Sequence, residues 1–301
     1  MKFPKNLKKG DTIGLVCASG FMPLENVTKC IQTLKTWGYN VVVGKTVGHQ
    51  NNYFSGTDEE RLADLQNMLD DANINAILFA RGGYGLSRII DQINFKAFKE
   101  KPKWLIGYSD ISILHCHIHR NFKIATLHAP MAAAFNDEGY KNEFVQSIQK
   151  TLKGSKAKYF CNAHEFNQIG NVKGELIGGN LSLINHTLAT NSVFLTKNKI
   201  LFVEDIGEYI YHIDRLFVQL KRSGFLNNLN GLIIGGFTEM KDTIIPFGKT
   251  IEEVIHEQVK EFSYPICFHF PVGHQTENYA LKIGVEYELN VTKNKVSLKE
   301  I

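Results

Sequence analysis

In the run Trp104-Leu105-Ile106-Gly107-Tyr108-Ser109-Asp110, an apolar stretch gives way to an amphipathic one. The pattern reads as a buried strand, a turn and the start of a helix, with Ser109 at the corner. A corner of that kind exposes a hydroxyl, and the helix N-terminus favours negative charge developing on an attacked carbonyl. The Asp110 N–H would then point where an oxyanion forms. The same serine also suits simple helix capping. The surrounding residues do not spell the G-x-S-x-G of lipases, so local pattern leaves both roles open. A glycine loop, Arg81-Gly82-Gly83-Tyr84-Gly85, follows the preceding strand. Glycines let a backbone approach a ligand closely and present N–H groups to an anion. The loop lacks the G-x-G-x-x-G and Gly-Lys-Ser/Thr spacings of phosphate cradles. It reads as a tight turn, or as an oxyanion hole in which Gly82 or Gly83 donates beside Asp110.

A serine nucleophile needs a base, and the base needs an orienting carboxylate. Glu204 directly follows the apolar Leu201-Phe202-Val203, where an acid is costly to bury without a partner. Asp205 and Glu208 are alternative acids. His274 closes the Pro/Gly-bounded loop Phe270-Pro271-Val272-Gly273-His274, which suits a side chain held toward a cleft. Asn180 stands where a second glycine turn runs into a helix; it is a natural N-cap that could also reach a ligand. His115-Cys116-His117-Ile118-His119 resembles a metal cluster, but on a helix only His115 and His119 share a face. No H-E-x-x-H occurs, and no second Cys/His pair has ligand spacing, so these histidines and His128 read as structural.

The elements that must hold these residues alternate. Thr12–Ala18, Asn40–Val43, Asn75–Ala80 and Trp104–Gly107 read as strands; Leu24–Trp37, Asp58–Asp71 (N-capped by Asp58) and Ile111–Arg120 read as helices. Parallel strands need crossover helices, so the alternation calls for an α/β domain with a doubly wound, mostly parallel sheet, whose sites lie at the carboxyl ends of its strands. A polar stretch at residues 154–168 reads as a linker, dividing the chain into residues 1–153 and 169–301. The second part reads as helices at Asn180–Thr190, His212–Arg222 and Ile251–Phe262, strands at Ile200–Val203 and Leu232–Gly236, and a terminal hairpin turning at Thr292-Lys293-Asn294.

Composition narrows the classes. The chain has 301 residues, 44% of them hydrophobic and 21% charged, which excludes a mainly disordered or fibrous protein. Thirty-four basic against 30 acidic residues leave a net +4, too weak and too diffuse for a nucleic-acid partner. The 20 Phe, 11 Tyr and 2 Trp do not cluster with Lys and Arg as stacking platforms for single strands would. No apolar run is long enough for a membrane span. Five cysteines without a CxxC pair read as reduced thiols in a reducing compartment.

Five blocks in order along the chain, Arg81-Gly82-Gly83-Tyr84-Gly85, Gly107-Tyr108-Ser109-Asp110, Gly178-Gly179-Asn180-Leu181, Val203-Glu204-Asp205 and Gly273-His274, resemble the LD-carboxypeptidase family of serine peptidases, whose sibling branch includes the microcin C immunity peptidases. The resemblance implies a Ser-Glu-His triad at Ser109, Glu204 and His274. It implies an N-terminal doubly wound α/β domain, a smaller C-terminal α/β domain with a barrel-like sheet, and a cytoplasmic homodimer. The activity it implies is release of a terminal D-alanine from a muropeptide or similar small peptide, without metal or cofactor. On that reading Gly83 and Asp110 N–H groups form the oxyanion hole, Arg81 pairs with the substrate carboxylate, and Gly82 and Asn180 contact substrate. An immunity-type peptidase acting on an aminoacyl-nucleotide analogue, and a non-catalytic small-molecule binding module, are the competing expectations. The chain departs from the family at Cys17-Ala18-Ser19-Gly20-Phe21 and at His128-Ala129-Pro130, both near the expected cleft.

Overall fold

The computed structural model describes residues 1–136 and 141–301. The chain forms two compact units, Met1–Ser155 with Tyr279–Lys282, and Lys156–Asn278 with Ile283–Ile301.

The first unit runs β1 (Thr12–Val16), α1 (Thr28–Thr36), β2 (Asn40–Val43), α2 (Asp58–Asp70), β3 (Ile74–Phe79), α3 (Lys96–Glu100), β4 (Trp104–Gly107), α4 (Ser112–Phe122), β5 (Thr126–His128) and α5 (Glu143–Leu152). Strands β1, β3 and β4 are near-continuous Val/Ile/Leu runs because both their faces are covered, as parallel strands between helices require. Their ladders are parallel, in the order β2-β1-β3-β4-β5. Helix α2 is capped by Thr57 and not by Asp58: Thr57 accepts from Glu60 N while the Glu60 carboxylate accepts from Thr57 N, a reciprocal box in which Asp58 is the first helical residue. The stretch read as one helix from Leu24 opens as a 3-10 turn, Leu24–Val27, before α1.

The second unit runs β6 (Lys158–Asn162), β7 (Gly170–Asn180), α6 (Leu181–His186), β8 (Lys199–Ile206), α7 (Ile210–Arg222), β9 (Gly231–Thr238), α8 (Ile251–Val259), β10 (Ile266–Cys267), β12 (Glu286–Val291) and β13 (Lys295–Glu300); β11 (Leu281–Ile283), between β10 and β12 in sequence, starts in the segment assigned to the first unit. Its sheet is ordered β10-β9-β8-β7-β12-β13-β6, parallel from β10 to β7 and antiparallel beyond. The edge strands return toward each other. Cys161 on β6 and Cys267 on β10 have sulfurs 3.9 Å apart, and Gln168 bridges Ile266 by paired backbone bonds of 2.9 and 3.1 Å. The curl is barrel-like, without a β6–β10 ladder among the described residues.

Within residues 154–168, the stretch read as a linker, Lys158–Asn162 forms β6, paired with β13. Its Lys-Tyr-Phe-Cys-Asn sequence covers neither face fully, as befits an edge strand, and so lacks the apolar run that marks a buried one. A second departure is that β11, late in the sequence, joins the first unit's sheet beside β5.

Candidate active site

In the first unit the carboxyl ends of β3 and β4 carry the two predicted loops. Ser109 follows β4 with a backbone φ of +64°, in the left-handed region that L-residues other than Asn and Asp seldom occupy. The extended Tyr108 and this reversal swing the serine out of the strand line before α4 begins. Its hydroxyl is half-buried and lies against Gly82. A Cβ on Gly82 would come 2.7 Å from Ser109 Cβ, 2.9 Å from Ser109 Oγ and 3.3 Å from Asp110 N, so only glycine fits there. The next residue, Gly83, has φ +101°, exposed, with its N–H bonded to no described residue.

Buried side chains fix this loop. The Asp110 carboxylate accepts from Ser19 Oγ at 2.5 Å and from Leu86 N at 2.8 Å, joining the segment after β1 to the far end of the glycine loop. Arg61, fully buried on α2, donates through Nη1 to Ala18 O at 2.6 Å and to Gly85 O at 3.0 Å, and pairs with Asp58. The sequence signal for Arg61 was its place on the helix face of Leu65 and Met68. Arg81 is exposed, and its Nη1 donates to Phe21 O at 2.5 Å.

In the second unit Glu204 and His274 meet. Glu204 is fully buried, and its Oε2 accepts from His274 Nδ1 at 2.6 Å and from His274 N at 3.1 Å. One carboxylate oxygen thus fixes both the ring and the backbone of the histidine. With Nδ1 donating, Nε2 is left with its lone pair. Burial works against charge on the ring, but the Glu204 carboxylate, with Asp205 and Glu239 further off, outweighs it and holds His274 above the ordinary histidine value.

The local sequence builds this pair from glycines. The β8–β9 register shifts between Val203 and Asp205, so that Glu204 faces both Gly235 and Gly236. Such a bulge re-aims a side chain. A Cβ on Gly235 would lie 2.5 Å from Val272 O, and one on Gly273, at φ +113°, 2.5 Å from Glu204 Cβ. The loop is braced by Gly273 N donating to Asn278 Oδ1 at 3.0 Å and Thr238 Oγ1 donating to His274 O at 2.7 Å. The doublet Gly235-Gly236 inside an apolar strand was the available sequence signal for the bulge. Thr238 and Asn278 carried none.

Asp205 and Asn180 are committed elsewhere. Asp205 accepts from Asn180 Nδ2 at 2.8 Å, from Ser182 N at 3.0 Å and from Ser182 Oγ at 2.8 Å. Burial, then the neighbouring Glu204, push its carboxyl up to about 6. Asn180 Oδ1 caps α6 through Leu183 N at 3.1 Å and the residue is buried, so both ends of its amide carry structural bonds. Glu208, the other alternative acid, pairs with His212 and takes a bond from Ser182 Oγ at 3.1 Å.

The histidine run lies in α4. His115 donates through Nε2 to Gly107 O at 2.8 Å, and burial lowers its pKa to about 4, which keeps it neutral and fastens α4 to β4. His117 stacks on Phe95 with centroids 5.3 Å apart. Among the described residues no group of three or more His, Cys, Asp or Glu has metal-binding geometry, and no helix is long and apolar enough to cross a membrane.

Residues 13–129 match the family model for the LD-carboxypeptidase N-terminal domain, and residues 173–289 that for the LD-carboxypeptidase C-terminal domain. A probable murein peptide carboxypeptidase of Bacillus subtilis is 33% identical over 302 residues, covering 96% of this chain and 92% of that protein. A murein tetrapeptide carboxypeptidase of Pseudomonas aeruginosa is 27% identical over 282 residues, covering 90% and 91%. Among solved structures, the muramoyltetrapeptide carboxypeptidase from Oxalobacter formigenes superposes with a TM-score of 0.87 at 24% identity, covering 96% and 98%. The wild-type apo form of a microcin C7 self-immunity protein gives 0.86 at 22%, covering 99% and 98%. Both structural likenesses are likenesses of fold.

Proposed function

The chain belongs to the LD-carboxypeptidase family, and from that premise we propose that it is a serine peptidase releasing the terminal D-alanine of a muropeptide tetrapeptide during peptidoglycan recycling. Ser109, from the first unit, acts with His274 and Glu204, from the second. His274 Nε2 takes the Ser109 proton as Oγ attacks the L,D amide carbonyl. Glu204 holds the ring and stabilises its cation. The N–H groups of Gly83 and Asp110 receive the oxyanion, and His274 returns the proton to the departing D-alanine nitrogen. Water, deprotonated by the same imidazole, then releases the acyl group and restores the serine. Losing one oxyanion donor typically costs about 3–4 kcal/mol. The observation that carries the reading is the fully buried Glu204 accepting from His274 Nδ1, which leaves Nε2 as a base with a raised pKa. Five free cysteines support a reducing, cytoplasmic setting, and we place the enzyme there as a homodimer.

The test is chromatographic assay of free alanine from a tetrapeptide ending in D-alanine, beside the same peptide ending in L-alanine. The D-peptide should be cleaved and the L-peptide spared. No release from either, with cleavage of an aminoacyl-nucleotide analogue, would transfer the chain to the immunity-type activity.

Gly82→Ala tests the nucleophile's surroundings. The added Cβ displaces Ser109, and a misplacement near 1 Å costs about 100-fold in rate. Turnover should fall by that order while the melting temperature stays within a few degrees. Full activity in the variant would mean that the hydroxyl beside Gly82 does no chemistry.

A further inference from the structure

In a sheet ordered β2-β1-β3-β4-β5 the connections leave β1 and β3 in opposite directions, and the crevice between those strand ends is where ligands bind. Gly20 lines it after β1, and Gly82 and Gly83 line it after β3, with Gly20 N donating to Gly82 O at 3.0 Å. A third segment reaches the same place. The turn at residues 51–54 is closed by reciprocal Asn51–Phe54 bonds of 2.8 and 3.0 Å, and Phe21 N donates to Tyr53 O at 3.0 Å. The Tyr53 ring meets Phe54 edge-on at 5.3 Å, and the buried Arg61 guanidinium lies 4.8 Å from the Phe54 centroid. Tyr53 is therefore firmly carried, yet 52% exposed. Its hydroxyl lies 2.8 Å from the position of a Cβ on Gly83 and bonds to no described residue. Among the described residues no hydrogen bond accounts for the placement of this hydroxyl.

We propose that the Tyr53 hydroxyl binds the terminal carboxylate of the substrate and sets the preference for a free C-terminus. The inference rests on the reading of Ser109 as nucleophile. Ser109 borders the loop at Gly82 and Tyr53 borders it at Gly83, one residue on. Consecutive Cα atoms are about 3.8 Å apart. The scissile carbonyl and the carboxylate of the single amino acid beyond it are separated by a similar stride. An oxyanion donor must instead reach the carbonyl oxygen beside Ser109 itself, which the Gly83 and Asp110 N–H groups are better placed to do. A phenol O–H donating to a carboxylate makes a charge-assisted bond without a buried charge of its own. Arg81, whose Nε is 3.6 Å from a Cβ position on Gly20, supplies the positive charge at the same edge.

The experiment compares kcat/KM for a tetrapeptide ending in free D-alanine with that for the same peptide ending in D-alaninamide, in the wild type, Tyr53→Phe and Ser109→Ala. Phenylalanine keeps the ring contact with Phe54, so the fold should be retained, as thermal melting will report. The wild type should prefer the acid. Tyr53→Phe should lose about tenfold or more on the acid, mainly through KM, as expected for a hydrogen bond to a charged group. The amide should lose far less, so the acid-to-amide ratio contracts by about the same factor. An unchanged ratio, whether both rates fall together or neither moves, overturns the assignment. Acid turnover surviving in Ser109→Ala would remove the nucleophile reading instead, a different failure with a different signature.

Discussion

Replacing Ser109 with alanine is expected to lower kcat for D-alanine release by about 10⁴-fold or more, because in the proposed mechanism attack, proton transfer and acyl formation all pass through one oxygen. The fold should survive. The hydroxyl makes no hydrogen bond to a described residue, so its loss orphans nothing. The backbone at this position, with φ +64°, is held by what surrounds it: Asp110 bonded to Ser19 and Leu86, and Gly82 pressed against the serine Cβ. A left-handed residue costs roughly 1–2 kcal/mol unless it is glycine. Ser109→Gly should therefore be as inactive as Ser109→Ala but melt no lower than the wild type. Activity within tenfold of wild type in either variant would mean that the strained serine is a cap and not a nucleophile.

A loss of similar order is expected for Glu204→Gln, on the order of 10⁴-fold, with a shift of the pH profile that a merely structural role would not give. His274 presents two N–H groups to one oxygen of Glu204, and the other oxygen has no partner among the described residues. A glutamine that keeps its carbonyl toward His274 must bury its NH₂ unpaired. One that turns round offers donors to donors and drives the ring to the wrong tautomer. The sign of the pH effect follows from the causes of the histidine's shift. In the proposed mechanism His274 is a base only when neutral, so the rate should fall as pH drops through its raised pKa. In the variant the charge that raised the pKa is gone while burial, which lowers it, remains. The acid limb of kcat/KM should move to lower pH. An acid limb that stays in place or moves upward would show that Glu204 does not govern the ionisation of His274.

Apolar runs and the acid that follows one were more legible in the sequence than element boundaries. Buried parallel strands such as Trp104–Gly107 announce themselves by apolar runs, and a serine just past one of them is legible as a corner residue. Glu204 was legible for the converse reason: an acid straight after a buried run must have a partner, and His274 is that partner within its unit. The edge strand β6 was missed because its alternating, half-exposed residues resemble polar loop, and pairing with β13 depends on a segment more than a hundred residues away. Asn180 illustrates a different limit. Its N-cap role was readable locally, but its second bond, to Asp205, arises only when β7 and β8 lie side by side. Tyr53 was silent because its meaning comes from a glycine elsewhere in the chain that leaves room for it.

That Ser109, His274 and Glu204 act as one unit can be tested most directly by covalent labelling with a fluorophosphonate, located by peptide mass spectrometry. The account predicts a single adduct on Ser109 in the wild type and its near-complete loss in His274→Ala, because the hydroxyl is nucleophilic only when the imidazole takes its proton. Labelling at Ser109 that persists undiminished without His274, or an adduct on a different residue, would contradict it.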